Sequence, residues 1–239
     1  MSIDLYPALD AGETDVAVAL ERDVHAGAIA PLGAASLLHR NDDMRWPEEQ
    51  GNDLLSRWPG IGFANLASDG ATIGDVFGEQ LPQLEESDAP SLLTLTIGGN
   101  DLLSAFSTKP RISLLEAIAR DVADAYEFLL DALHRARPNA HVVVATIYDP
   151  SDGTGHIPGV LEQAGPLPLP VLSGLNDRIR TLASSTPRTA LADVHAHFMG
   201  HGVLAPEEDR WYWRRSLIEP NARGASEIRR LWLEVLDSL

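Results

Sequence analysis

Short apolar or β-branched runs alternate with helical patterns along the chain, and this alternation restricts the possible folds more than any other feature. The runs at residues 2–5, 62–66, 92–97, 141–148 and 190–194 read as strands. Leu114, Ile118, Val122, Tyr126, Leu129 and Leu133 recur at helical spacing on one face and predict a helix over about residues 114–137, with Ser113 and Glu116 as a capping box. Ile228, Leu231, Trp232 and Val235 predict a last helix over about residues 225–236, entered through Asn221-Ala-Arg-Gly224. Strands that alternate with helices predict a parallel sheet covered on both faces, an α/β three-layer sandwich. No linker or charge run divides it, so one domain is expected over residues 1–239.

Composition narrows the partners. Hydrophobic residues make up 44% of the chain, enough to fill a sizeable core, so a disordered or collagen-like chain is excluded. Eighteen Lys and Arg against 35 Asp and Glu give a net charge of −17, a surface that repels nucleic acid phosphates and anionic lipid. A small-molecule substrate or ligand is the expected partner, with no nucleic acid and no membrane. The absence of cysteine removes disulfides, thiol nucleophiles and thiolate metal sites. The N-terminus does not read as a secretory signal and no apolar run approaches the roughly 20 residues that span a bilayer. A cytoplasmic protein is expected, without a cofactor.

Three segments admit two readings each. Nine of the 22 residues at 149–170 are Gly or Pro. This segment is either a surface excursion or a flap over a pocket at the carboxyl end of the fourth strand, where open parallel sheets bind ligands. Trp211, Tyr212 and Trp213 either line an apolar pocket or pack as core, and core is favoured. On a strand, His195 and His197, with His201, would offer imidazoles to a metal; histidines capped by hydrogen bonds are the commoner arrangement.

Several motifs are missing: the Gly-x-Ser-x-Gly elbow, Gly-rich phosphate loops and the His-Glu-x-x-His zinc helix. The run Asn65-Leu-Ala-Ser-Asp-Gly70-Ala-Thr-Ile-Gly-Asp75 resembles the second block of the SGNH (GDSL) hydrolases. Thr96-Ile-Gly-Gly-Asn100-Asp101 is similar to their third block, and Ile218-Glu219-Pro220-Asn221-Ala-Arg-Gly224 to their last, from about Trp46 to the C-terminus. The resemblance implies a five-stranded parallel, flavodoxin-like sheet and hydrolysis of ester or related acyl bonds. It also implies that the Gly70 N–H and the Asn100 amide are oxyanion donors, where each preorganised donor lowers the barrier by a few kcal/mol. Otherwise Asn100-Asp101 caps the following helix, which Asp101 is expected to do in any case.

The family's catalytic residues do not carry over. The positions of its general-base histidine and orienting acid hold Glu219 and Ser216. For the nucleophile block three placements compete. The strand at 2–5 would put Asp4 or Leu5 near the serine position, Leu9-Asp-Ala-Gly12-Glu-Thr14 would put Gly12 there, and Leu32-Gly-Ala-Ala-Ser36-Leu37 would put Ser36 there with one residue inserted. Pro31 interrupts the strand expected before Ser36. The first placement is favoured, with an inserted helix near residues 14–25.

Asp4, Glu219 and either Asp42 or Asp43 would then form a carboxylate pocket. Paired carboxyls split their pKa values into an acid and a base and also suit Mg²⁺, unless they are merely solvated strand-end and turn residues. The final helix N-terminus lowers the pKa of Glu219, whereas burial or a neighbouring Asp4 raises it. The reading is an atypical SGNH-like hydrolase. Its alternatives are a non-catalytic ligand- or partner-binding protein and an enzyme of altered chemistry that pairs Glu219 with Asp4.

Overall fold

The expected strands assemble into one main sheet in the computed structural model, which describes residues 32–108, 111–159 and 165–239 and the backbone of 3–7. They are β1 (Ile3–Pro7), β2 (Ala64–Asn65), β3 (Ser91–Leu95), β4 (Ala140–Ala145) and β5 (Thr189–Ala192), in the order β2-β1-β3-β4-β5. β3, β4 and β5 are parallel, with Leu93 opposite Val142 and Val144 opposite Leu191. β1 runs antiparallel to both β3 and β2. The expected all-parallel five-stranded sheet is therefore corrected to a parallel core of three strands with an antiparallel extension. Apolar patterning reports which faces are buried; strand direction leaves no mark on it, because either ladder satisfies the backbone.

Period-two alternation distributes the strands between two cores. Leu93, Leu95, Val142 and Val144 face α5 (Ile112–Ala136) and α6 (Leu169–Ser185), while Leu92, Val143 and Ala145 face α1 (Ala34–His39) and α8 (Ala222–Leu236). The three-layer α/β arrangement follows. On α5 the buried face begins at Leu115 and Ala119, whereas Leu114 is exposed, so the expected stripe is displaced by one position in the first turn. The expected capping box is also corrected. The N-cap of α5 is Arg111, which makes no side-chain cap, and Ser113 lies inside the helix. The buried Tyr126 hydroxyl donates to the Ile97 carbonyl at 2.8 Å, fastening α5 to the chain leaving β3.

The last helix shows why its entry reads Pro-Asn-x-x-Gly. Asn221 Oδ1 accepts the Gly224 N–H at 2.9 Å, and its Nδ2 donates to the carbonyls of Arg210 (2.7 Å) and Tyr212 (3.2 Å). The Asn221 N–H donates to the Trp211 carbonyl at 2.8 Å, and that carbonyl lies so close to Gly224 that a Cβ there would overlap it. The obstacle is backbone held by its own hydrogen bond, so no rotamer change relieves it. Gly224→Ala is expected to destabilise the protein by about 3 kcal/mol. An unaltered denaturant midpoint would contradict that.

Candidate active site

A cleft of about 680 Å³ opens at the carboxyl ends of β3 and β4, where Thr96 and Tyr148 reach its wall. Its floor begins where β3 gives way to Gly98, whose φ of +101° suits glycine and whose Cβ would sit 3.1 Å from Val122 Cγ1. The turn launches α4 (Gly99–Ser107) and puts Asn100 at its second position. Asn100 Nδ2 donates to the Ala71 carbonyl at 3.0 Å, which pins the amide and leaves its other N–H for a ligand. Asp101 faces its own N–H in the first turn of α4, as expected, and also reaches beyond the helix. Its carboxylate accepts the N–H of Ile73 at 3.1 Å, the first residue of α3 (Ile73–Asp75). The Asn-Asp pair thus stitches the third block to the second, and Gly70, with φ +75°, turns the chain within the second block, next to Asp69 of the cleft lining but not itself part of it.

Ser36 enters from the opposite side. It lies in the first turn of α1, lines the cleft, is only 4% exposed, and its Oγ is buried without a hydrogen-bond partner among the described residues. An unpaired buried hydroxyl costs about 1–3 kcal/mol, a penalty tolerated where a ligand completes the site. Glu219 arrives on β7 (Ser216–Pro220), which forms an antiparallel hairpin with β6 (Tyr212–Trp213). Burial first, and the Asp69 carboxylate second, push the Glu219 carboxyl above its ordinary range. The shift has the direction expected of burial and a neighbouring acid, and that acid is Asp69, a residue that sequence reasoning passed over although it adjoins Gly70.

Ser36, Asn100, Glu219 and Asp69 therefore share one cleft. The backbone of Asp4 lies opposite Thr94 and Asn65, beside the carboxyl end of β3. Gly12 and the helix expected at 14–25 lie outside the described residues. Asp42 and Asp43 are not in the cleft: Asp42 accepts the Arg45 N–H at 3.2 Å and Asp43 accepts from Asn41 at 2.8 Å, both in one turn. Their expected site role is corrected to turn formation.

The described parts of residues 149–170 line the cleft through Asp149, Pro150, Ile157 and Leu167, as the pocket reading of that segment required. The aromatic run is divided by strand alternation. Trp211 and Tyr212 pack with Phe198 in the core, and Trp213 lines the cleft. The histidine segment folds as helix α7 (Val194–Phe198), where residues two apart point about 200° apart, so His195 and His197 do not share a face. His197 Nε2 meets Glu227 Oε2 at 3.3 Å and His201 Nδ1 the Asp209 carbonyl at 3.0 Å, the capped arrangement favoured above. Among the described residues no cluster of three His, Asp or Glu suits a metal, and no helix is long and apolar enough to cross a membrane.

Comparison with known proteins gives this geometry its context. The model of the GDSL-like lipase/acylhydrolase family matches residues 36–226. Among solved structures, a candidate GDSL-like lipase from Parabacteroides merdae is similar at 15% identity, with 92% of this chain and 90% of that one covered and a TM-score of 0.56. An α/β hydrolase from the metagenome of Lake Arreo, Spain, matches at 20% identity over 86% and 81%, with a TM-score of 0.53. The acetyl xylan esterase AlAXEase matches at 16% identity over 84% and 89%, with a TM-score of 0.52. No curated protein matches the sequence.

Proposed function

The chain belongs to the GDSL-like lipase/acylhydrolase family, and from that premise we propose that it hydrolyses carboxylic esters of apolar acids with an atypical catalytic set: Ser36 as nucleophile, Glu219 as proton acceptor, and Gly70 and Asn100 as oxyanion donors. The observation that carries this reading is the buried Ser36 Oγ, without a hydrogen-bond partner among the described residues, in the cleft that also holds Asn100 and Glu219. It favours the Ser36 placement of the nucleophile block over the Asp4 and Gly12 placements. In the first step Glu219 takes the hydroxyl proton as Ser36 Oγ attacks the carbonyl carbon, and the developing oxyanion accepts from the Gly70 N–H and Asn100 Nδ2. The alcohol then leaves with the proton from Glu219, giving acyl-Ser36. Water attacks that ester with Glu219 again as base, and the acid departs with Ser36 restored. Leu102, Phe106, Leu115 and Leu172 supply an apolar wall for the acyl chain.

A carboxylate is a weaker base than imidazole, so turnover of p-nitrophenyl butyrate is expected to stay well below the roughly 10 s⁻¹ typical of enzymes. Incubation with a fluorophosphonate ester should label Ser36, found by peptide mass spectrometry. The reading fails if the reagent spares Ser36 and p-nitrophenyl butyrate is not hydrolysed. The second reading, a non-catalytic binding protein, is favoured by the lack of any histidine among the described residues lining the cleft. It predicts binding of acyl chains with no labelling. The paired-carboxylate alternative draws support from Glu219 with Asp69 as its neighbour, rather than from Asp4.

A further inference from the structure

We infer that the cleft selects esters whose alcohol portion carries a positive charge, such as a quaternary ammonium. The inference rests on the hydrolase reading above and names the substrate class of that site. Among the described residues lining the cleft, the charged ones are Asp69, Asp149 and Glu219, and none is Arg, Lys or His. Asp149 is already occupied: it accepts from the Ser151 N–H at 2.9 Å, the Ser151 hydroxyl at 2.6 Å and the Gly153 N–H at 2.9 Å. Asp69 and Glu219 make no hydrogen bond or ion pair with the described residues, Asp69 at the exposed mouth and Glu219 half-buried behind it. Among the described residues neither charge has a counter-ion, and the chain's net charge of −17 adds a field of the same sign.

The carboxylates alone would not define a site. The buried hydroxyl of Ser36 on the same cleft, unpartnered among the described residues, marks where the reacting carbonyl belongs. An ester held there by its acyl chain against the Leu102 and Phe106 wall carries its alcohol toward the remaining, polar part of the cleft. Trp213, on the same hairpin as Glu219, adds to the cleft lining an indole, a side chain whose face attracts cations once water is displaced. A cation beside Glu219 would also favour its ionised form, the form that accepts the Ser36 proton. An anionic alcohol would meet the carboxylates of Asp69 and Glu219, while the product carboxylate would be repelled and released.

Butyrylcholine and 3,3-dimethylbutyl butyrate have nearly the same shape and differ by a charge, so the ratio of their kcat/KM values isolates the inference. A ratio of about ten or more in favour of butyrylcholine is expected at low ionic strength. It should shrink as NaCl is added and fall toward one in Asp69→Asn. A ratio near one in the parent protein overturns the inference. If neither ester is hydrolysed, the hydrolase reading fails on its own, and calorimetry with choline against 3,3-dimethylbutanol decides the charge preference. Tighter binding of choline supports it, and equal or absent binding overturns it.

Discussion

Ser36→Ala is expected to lower ester turnover by about 10³-fold or more, because loss of a nucleophile removes the covalent route and leaves only binding and the oxyanion donors. The substitution is unusually clean. Ser36 Oγ makes no hydrogen bond among the described residues, so its removal orphans no partner, and alanine is the better helix former in the first turn of α1. The unfolding midpoint should therefore hold or rise while activity collapses. Undiminished hydrolysis of p-nitrophenyl butyrate in a folded Ser36→Ala protein would remove Ser36 from the chemistry.

Glu219→Gln is expected to cost about 10²–10⁴-fold in kcat, the range lost with a general base, with a smaller change in KM. The acid limb of the parent's activity profile should lie above the ordinary glutamate value of 4.5, since burial and Asp69 hold the carboxyl protonated to higher pH. Stability should move the other way. A carboxyl whose folded-state pKa is raised stabilises the fold below its unfolded value, and that contribution is lost as pH rises through the folded value. An amide at this position does not titrate, so the Glu219→Gln variant should resist denaturant better than the parent at neutral pH and match it in acid. Equal activity, or a variant less stable at neutral pH, would count against the role given to Glu219.

Much of this could be read in the amino acids themselves. The runs that became β3, β4 and β5, the stripe of α5 from Val122 onward, and the Asn221 entry to α8 are local patterns, set by residues two to four positions apart. The second, third and last blocks were legible for the same reason, since each is one turn with its own backbone demands: Gly98 and Gly70 in the left-handed region, Gly224 beneath the Trp211 carbonyl.

The tertiary structure decided what local patterns do not encode. It reversed β1 relative to β3, because burial pattern carries no sense of strand direction. It turned the strand expected through Val194 into β5 and then α7, which separated His195 from His197. It sent Asp42 and Asp43 to a turn, and it brought Asp69, Ser36 and Trp213 to the cleft with Glu219. Those four come from separate loops, strands and helices, so no periodicity relates them. The proton affinity of Glu219 depends on that assembly, because the desolvation and the Asp69 charge that set it exist only once the chain has closed around the cleft.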